Sequence, residues 1–174
     1  MSFVVIAYPK IDSKDYDWIQ GIRKEYDPKM FDAVKPHVTF IFPTNKLDAA
    51  SLTKHVEDHL HGFRPFTVVF DATKVVEDDP KTYTHLFLVP STGFVDINKL
   101  HDQLYVDDMV SELRSDIPFI PHLGIGTNPD RGSMEKLAKS ITTDGKGIVG
   151  TIDELMVCEY DGKKVTDIQT IVLA

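Results

Sequence analysis

The stretch PHVTF, residues 36–40, places a histidine and a threonine two positions apart in an otherwise apolar run. Side chains of a β-strand alternate between its two faces, so His37 and Thr39 share one face while the apolar residues beside them point to the other. A lone H-x-[ST] match is weak, because a chain with seven histidines is expected to contain about one by chance. A second Pro-His strand, PHLGIG at residues 121–126, makes the first match more informative than a chance occurrence.

The two Pro-His strands occupy equivalent places in a repeated order of predicted elements. Each half of the chain reads strand, helix, strand, helix, strand. The predicted strands are FVVIAY, PHVTFIFP and PFTVVFDATKVV in the first half, then THLFLVP, PHLGIG and GTIDELMVCEY in the second. The first helix stops at Asp27-Pro28 before a loop, a later helix covers residues 93–110, and a turn at Asp161-Gly162 precedes a closing strand. Two copies of one β-α-β-α-β unit predict a duplicated structure with pseudo-twofold symmetry.

Strand alternation also predicts what each Pro-His strand presents to the two sides of its sheet. In the second strand, His122, Gly124 and Gly126 share a face, and regular alternation puts Thr127 on the opposite face. Each strand then packs an apolar face on a core and turns a histidine the other way. Twofold symmetry therefore predicts that His37 and the second histidine face each other across a groove.

Composition excludes several classes of protein. With 42% apolar and 26% charged residues, the 174-residue chain is typical of a globular protein, and its length fits one domain over residues 1–174. The net charge of −8 opposes tight binding of long nucleic acid, which needs clustered Lys and Arg, but it allows a small phosphate ligand. No stretch approaches the roughly 20 apolar residues of a membrane helix, so no membrane association is expected.

The cysteine content and the N-terminal sequence predict a cytoplasmic protein. Cys158 is the single cysteine, so no intrachain disulfide is possible, and its apolar surroundings predict a buried, unreactive thiol. The apolar run in MSFVVIAYPK is too short for a signal peptide and lacks a basic start. The cytosol is therefore the expected location.

The two Pro-His strands, one in each half, resemble the paired motifs of the two-histidine (2H) phosphoesterase superfamily. That superfamily includes the 2′-5′ RNA ligase-like proteins and the cyclic phosphodiesterases. The resemblance covers essentially the whole chain, including the closing VCEYDGKKVTDI hairpin. It implies an α+β, bilobal fold of two pseudo-symmetric lobes, in which antiparallel sheets line a central groove and helices lie outside.

The resemblance also assigns roles to residues of this chain. PHVTF matches the first motif completely, which implies a catalytic His37 and a phosphate-binding hydroxyl on Thr39. PHLGIG matches the second motif at His122 only, because Gly124 stands where the superfamily carries Ser or Thr. One phosphate hydrogen bond of the implied site is therefore missing, unless the N–H of Gly124, Thr127 or a water supplies it. Thr127, expected on the opposite strand face, is a poor substitute.

Two imidazoles flanking one phosphorus can carry out general acid–base catalysis without a metal or a cofactor. Histidine suits both proton transfers because its usual pKa of about 6.5 populates both forms near neutrality. The resemblance thus implies a metal-independent phosphodiesterase acting on 2′,3′-cyclic phosphates or on 2′-5′-linked nucleotide or RNA ends. The alternative is a non-catalytic nucleotide- or phosphate-binding module on the same fold, with Gly124 as its signature. The expected partner is a small nucleotide or RNA terminus, and the sequence leaves the oligomeric state open.

A metal site at residues 55–61, HVEDHLH, is a more distant hypothesis. His55 and His59 are spaced i,i+4 on one face of a predicted helix, which can bind a metal ion. Glu57 lies off that face, so the segment lacks the metalloprotease order H-E-x-x-H, and no third ligand has a clear position. A solvated amphipathic helix is the favoured interpretation.

Four further residues receive open or ordinary interpretations. His85 lies on a strand face that belongs either to the core or to the groove, and His101 is expected on a helix surface. Lys35 precedes the first motif and Arg131 follows the second. Each of these two cations is either a phosphate ligand or an ordinary surface charge.

Overall fold

The computed structural model describes residues 1–78, 81–141 and 147–174. In chain order, its elements are β1 (Ser2–Ala7), β2 (Lys10–Ile11), α1 (Ser13–Tyr26), α2 (Pro28–Ala33), β3 (Val38–Thr44), α3 (Ala49–His59), β4 (Phe66–Glu77), β5 (Thr84–Thr92), α4 (Phe94–Leu104), a 3₁₀ helix (Asp107–Glu112), β6 (Leu123–Asn128), α5 (Arg131–Ser140), β7 (Ile148–Ile152), β8 (Glu154–Tyr160) and β9 (Val165–Val172). Within these ranges no helix is both long and apolar enough to cross a membrane.

The strands form two antiparallel sheets, which confirms the predicted α+β class. One sheet has the order β3-β1-β8-β9 and the other has the order β2-β7-β4-β5-β6. In each sheet the first strand of one half, β1 or β5, pairs with the Pro-His strand of the same half, β3 or β6. Its other neighbour is the long strand of the opposite half, β8 or β4. The two halves therefore exchange their last long strands, and this exchange ties the lobes together.

The helices follow the same pseudo-twofold pattern. α1 comes after β1 and the short β2 and packs on β6, and α4 comes after β5 and packs mainly on β3. α3 packs on β8 and β9, whereas α5 packs on β4, β5 and β6. The repeated element order in the sequence is thus matched by a repeated set of contacts in three dimensions.

One large apolar core joins the sheets and the helices, and a smaller cluster occupies the other face of β1. Fully buried members of the large core include Val5, Phe40, Phe70, Leu86 and Leu100. The smaller cluster contains Val4, Ile6, Ala33, Val34, Met156 and Cys158. Cys158 is a buried free cysteine, as predicted, and burial raises the pKa of its thiol far above the usual range.

Two predicted helix boundaries were wrong. Pro28 begins the short helix α2 instead of a loop, because proline is tolerated in the first turn of a helix. The predicted helix 93–110 ends at Leu104, and a 3₁₀ turn follows. Asp107 there has a φ of 50°, which the regular α-helix cannot accommodate.

The long strand predicted at the end of the second half is in fact two strands. β7 belongs to one sheet and β8 to the other, with Asp153 between them. The Asp153 carboxylate forms an ion pair with Lys10, and the backbone carbonyl of Asp153 accepts a hydrogen bond from the N–H of Leu173. Both segments are apolar, so periodicity alone does not reveal the point where the chain crosses between sheets.

Candidate active site

His37 and His122 occupy equivalent positions, each directly before the strand that follows it. The Nδ1 atom of His37 lies 2.8 Å from the carbonyl oxygen of Lys35, and that of His122 lies 2.6 Å from the carbonyl oxygen of Ile120. A carbonyl only accepts, so Nδ1 carries the hydrogen in both rings. The lone pair of each neutral imidazole is therefore on Nε2. The same hydrogen bond to residue i−2 prepares both rings as bases.

The pKa values of both histidines are lowered from the usual value. The pKa of His37 is lowered to about 4, chiefly by burial and to a smaller extent by the charges of Arg23 and His122, whereas the hydrogen bond to Lys35 opposes the shift. Burial also lowers the pKa of His122 to about 4, with a smaller contribution from the charge of His85. Both imidazoles are neutral at pH 7 in the free protein. The charge of His122 thus acts on His37, so the two histidines that the sequence pairs are coupled electrostatically.

Thr39 and Gly124 lie two residues after the two histidines, again at matching positions. Thr39 stands opposite Ile6 in the β1–β3 pair, and Gly124 stands opposite Phe87 in the β5–β6 pair. Both positions are partly exposed. A Cβ atom added to Gly124 would meet no atom within 4 Å. Open space therefore exists where the second hydroxyl of the motif would lie.

A β-bulge interrupts the regular alternation of β6. Leu86 pairs with Gly126 and Phe87 pairs with Gly124, so Ile125 is an extra residue on β6. Ile125 is fully buried in the core. From this point onward, each residue of β6 points to the face opposite the one that regular alternation predicts.

The bulge overturns two predictions about β6. Gly126 does not share the face of His122, because a Cβ atom on it would lie 3.1 Å from the Met134 sulfur in the core. Thr127 turns instead to the side of the histidines, and its Oγ1 lies 3.1 Å from Nδ1 of His85. Thr127 is thus on the functional side of the sheet, although its hydroxyl contacts a side chain that the motif does not include.

A cavity of about 800 Å³ opens beside His122. Its walls come from β3, the end of β4, β5, α4, the end of the 3₁₀ helix and the segment that leads from it to β6. Its aromatic lining residues are Phe42, His85, Phe87, His101, Tyr105, Phe119 and His122. In the first lobe the equivalent face is covered by α2, since Ala33 and Val34 pack on Ile6. The space available for a ligand therefore lies on the side of the second lobe.

Stacked rings build the wall of this cavity. Phe87 stacks on His122 with ring centroids 3.6 Å apart, and His85 stacks beyond it at 6.0 Å from Phe87. His101 stacks on Phe119 with centroids 3.7 Å apart. The sequence left open whether His85 belongs to the core or to the groove, and the structure places it in the lining of the cavity. His101, expected on the surface, is only 3% exposed, so that prediction was wrong.

His55, His59 and Arg131 have structural partners. Nε2 of His55 lies 2.9 Å from the Leu104 carbonyl oxygen, and Nδ1 of His59 lies 2.7 Å from the His55 carbonyl oxygen. His55 is buried, so the solvated interpretation was wrong for it. Among the described residues, no group of three His, Cys, Asp or Glu side chains is placed to hold a metal ion. Arg131 lies 3.4 Å from Glu77 in a surface ion pair.

Sequence reasoning missed a buried arginine that supports the first histidine. Arg23 is 1% exposed, and its Nη2 donates to the carbonyl oxygens of Met30, at 2.9 Å, and Val34, at 2.7 Å. These two bonds fix the backbone up to Val34. The carbonyl of the following residue, Lys35, accepts the hydrogen bond from His37. No sequence signal marks Arg23 as buried, since arginine in an amphipathic helix is usually exposed.

The fold is a two-lobed α+β structure in which each lobe carries a histidine at an equivalent position. A sequence model of the 2′-5′ RNA ligase superfamily matches residues 11–164, and the chain belongs to that superfamily. It is therefore an enzyme of the two-histidine phosphoesterase class. No sequence in a set of curated proteins matches it.

Several solved structures have the same fold. The structure of Usb1 from Kluyveromyces marxianus has a TM-score of 0.60 at 12% identity, covering 99% of this chain and 98% of that one. The structure of E. coli LigT complexed with 3′-AMP has a TM-score of 0.56 at 14% identity, with the same two coverages. A second Usb1 structure, with uridine monophosphate, has a TM-score of 0.58 at 14% identity, again with these coverages.

Proposed function

We propose that this chain is a metal-independent phosphodiesterase that acts on 2′,3′-cyclic phosphates or on 2′-5′-linked nucleotide or RNA ends. One observation carries the proposal: His37 and His122 make the same Nδ1 hydrogen bond to the carbonyl of residue i−2. A purely structural histidine has no reason to recur with the same tautomer at the equivalent place in each lobe. Residues 1–174 act as one domain in this proposal, because each lobe contributes one histidine.

The two imidazoles divide the proton transfers of hydrolysis. One Nε2 removes a proton from the attacking water while the new P–O bond forms. The other imidazole, in its protonated form, gives its proton to the ribose oxygen as the old P–O bond breaks. Both rings are neutral in the free protein at pH 7, and the phosphate anion raises the pKa of the one that acts as the acid.

Thr39 and Gly124 hold the non-bridging phosphate oxygens in this mechanism. The Thr39 hydroxyl donates one hydrogen bond, while Gly124 offers only its backbone N–H. Removal of one such donor commonly costs about 10²–10³ in rate, so the missing hydroxyl slows the reaction without abolishing it.

A small nucleotide is the proposed substrate. The net charge of −8 opposes binding of a long polyanion, and the cavity beside His122 has the size of a small-molecule site. Relatives of the same fold, LigT and Usb1, have structures with 3′-AMP and with uridine monophosphate. We place the reaction in the cytosol, because a reducing compartment keeps a thiol such as that of the buried Cys158 unpaired.

A nucleotide-binding module without turnover is the second candidate, favoured by the absent hydroxyl at Gly124. Turnover of a panel of 2′,3′-cyclic nucleotides and 2′-5′-linked dinucleotides, in the presence of EDTA, separates the two. We expect turnover by the wild type and its loss in His37→Ala and in His122→Ala. The exposed His61→Ala is the matched control and keeps wild-type activity. Binding of nucleotides by a folded protein that turns over none of the panel would favour the second candidate.

A further inference from the structure

We infer that the cavity beside His122 selects nucleosides that carry no phosphate other than the scissile one. This inference rests on the proposed phosphodiesterase function and names its substrate class: 2′,3′-cyclic mononucleotides with a free 5′-hydroxyl. Substrates with a 5′-phosphate, and RNA ends whose 5′-oxygen continues into a phosphodiester, are disfavoured. The inference comes from the size, walls and charge of the cavity.

The cavity is large enough for a nucleoside and has the surfaces that one needs. Its volume of about 800 Å³ lies within the roughly 300–1,000 Å³ typical of small-molecule sites. The rings of Phe87, Tyr105 and Phe119 supply apolar surface for a base and a ribose. His122 stands in its wall, so a nucleoside in the cavity has its ribose oxygens beside the imidazole that transfers a proton.

The charged residues that line the cavity are mostly acidic. The four carboxylates belong to Glu77, Asp78, Asp102 and Glu112, and the lining includes one guanidinium, that of Arg114. The guanidinium already forms two hydrogen bonds to the Asp116 carboxylate, at 2.8 and 2.7 Å. The lining is thus rich in hydrogen-bond acceptors, which suit the N–H groups of a base and repel a phosphate.

Two of these carboxylates are fixed by donors of the protein itself. The Glu112 carboxylate accepts from the Thr44 hydroxyl at 2.7 Å. The Asp78 carboxylate accepts from the Tyr83 N–H, also at 2.7 Å. A third, Glu77, lies 3.4 Å from Arg131, which offsets part of its charge. Fixed carboxylates cannot turn away from an incoming anion, so their charge acts on any ligand in the cavity.

The covalent structure of the substrate brings a second phosphate close to the carboxylates of the cavity. The scissile cyclic phosphate and the 5′-carbon belong to the same ribose, so a 5′-phosphate stays within a few ångströms of the cavity whenever the scissile phosphate reaches His122. Repulsion over such distances is only partly screened at physiological salt, where the Debye length is about 8 Å. We expect a penalty on the order of tenfold in kcat/KM at low salt, decreasing as salt is added.

The test compares kcat/KM for 2′,3′-cyclic AMP with that for its 5′-phosphorylated form, at about 50 mM and about 500 mM salt. The wild type is expected to prefer the 5′-hydroxyl form about tenfold at low salt and less at high salt. The double variant Glu77→Gln, Glu112→Gln reduces this preference. Glu25→Gln, Glu57→Gln is the matched control, since both residues are exposed, lie away from the cavity and change the net charge equally. The control keeps the wild-type preference.

Equal kcat/KM for the two substrates would overturn the inference while leaving the phosphodiesterase proposal intact. Absence of turnover with either substrate would instead contradict the proposed function. In that case calorimetric binding of 3′-AMP and of adenosine 3′,5′-bisphosphate decides the inference independently of catalysis. Weaker binding of the bisphosphate supports it, and equal affinities overturn it. Should the double variant fail to fold, Glu112→Gln alone gives the same comparison.

Discussion

Phe87 and His122 stack face to face, with ring centroids 3.6 Å apart and planes inclined by 17°. The Ile120 carbonyl meanwhile accepts from Nδ1 of the same imidazole. His122 is therefore held through one ring face and one ring nitrogen, which directs Nε2 away from both partners. This double restraint prepares the ring for proton transfer before a substrate arrives.

Substitution of Phe87 by leucine tests this restraint. Loss of the stack lets the imidazole rotate, and misplacement of a catalytic group by about 1 Å costs up to about 10²-fold. We expect Phe87→Leu to lower kcat about tenfold or more, as measured on a 2′,3′-cyclic nucleotide. Phe94→Leu, at an exposed position of α4, serves as the control. An unchanged kcat in Phe87→Leu would show that the stack does not position the ring.

Gly124→Ser restores the hydroxyl that the second motif lacks. A Cβ atom at this position meets nothing within 4 Å, so the new side chain fits without displacing a neighbour. We expect kcat/KM to rise about tenfold or more, since a phosphate donor is commonly worth about 10²–10³. Gly126→Ser is the contrasting variant, because its Cβ lies 3.1 Å from the Met134 sulfur and it should lower the melting temperature. A fall in activity of a folded Gly124→Ser would refute the assigned role of this position.

Arg23 connects the buried α1–α2 junction to the first histidine. Its charge lowers the pKa of His37, after the larger effect of burial, and its Nη2 atom holds two backbone carbonyls. Arg23→Met should therefore raise the pKa of His37, whereas Arg23→Lys, which keeps the charge, should raise it less. NMR titration of the His37 ring protons measures both, with the exposed Arg64→Met as the control. Equal His37 pKa values in all four proteins would contradict the coupling.

We also expect Arg23→Met to lower the stability of the protein. Arg23→Met leaves the carbonyls of Met30 and Val34 without their buried donor, at a cost of about 1–3 kcal/mol for each unsatisfied group. Urea unfolding should show a lower free energy of unfolding for Arg23→Met than for Arg64→Met. An unchanged free energy would mean that other donors replace the guanidinium.

Stability should rise with pH between about pH 4 and about pH 6.5. The pKa of His37 and that of His122 are each lowered from 6.5 to about 4 by burial, so the unfolded chain binds more protons in this window. Each histidine then adds up to about 1.4 kcal/mol of stability per pH unit, which is lost as the pH falls through the window. Urea unfolding at several pH values should give a shallower dependence for His37→Gln, His122→Gln than for the wild type. The same slope in both proteins would contradict the lowered pKa values.

The sequence predicted the order of the elements and the equivalent positions of the two histidines, because both depend on local patterns. Strand periodicity located β3 and β6, and the repeated Pro-His placed His37 and His122 at equivalent points. The exchange of the long strands lay beyond the sequence, since strand partners are chosen by tertiary packing. So did the bulge at Ile125, which turns Thr127 to the side of the histidines: Gly124 and Gly126 flank it, and glycine in a strand is compatible with a bulge but also with regular pairing.

The site residues outside the motifs were hidden for a related reason. Arg23 and His101 both lie on helices, where polar residues are normally assigned to the solvent side. Each is buried because a second element covers that face: α2 covers Arg23, and Phe119 from an irregular segment covers His101. Single-sequence periodicity describes one element at a time and cannot reveal such covering.

The central claim is that His37 and His122 act on the same phosphate, and a double-variant comparison tests it most directly. The rate with a 2′,3′-cyclic nucleotide is measured in EDTA for His37→Ala, His122→Ala and the protein that carries both changes. We predict that each single change lowers kcat by about 10²–10⁴ and that the double variant is scarcely slower than the slower single variant, because residues that act as a unit are not additive. Losses that multiply in the double variant, or a single variant with wild-type kcat, would contradict the claim.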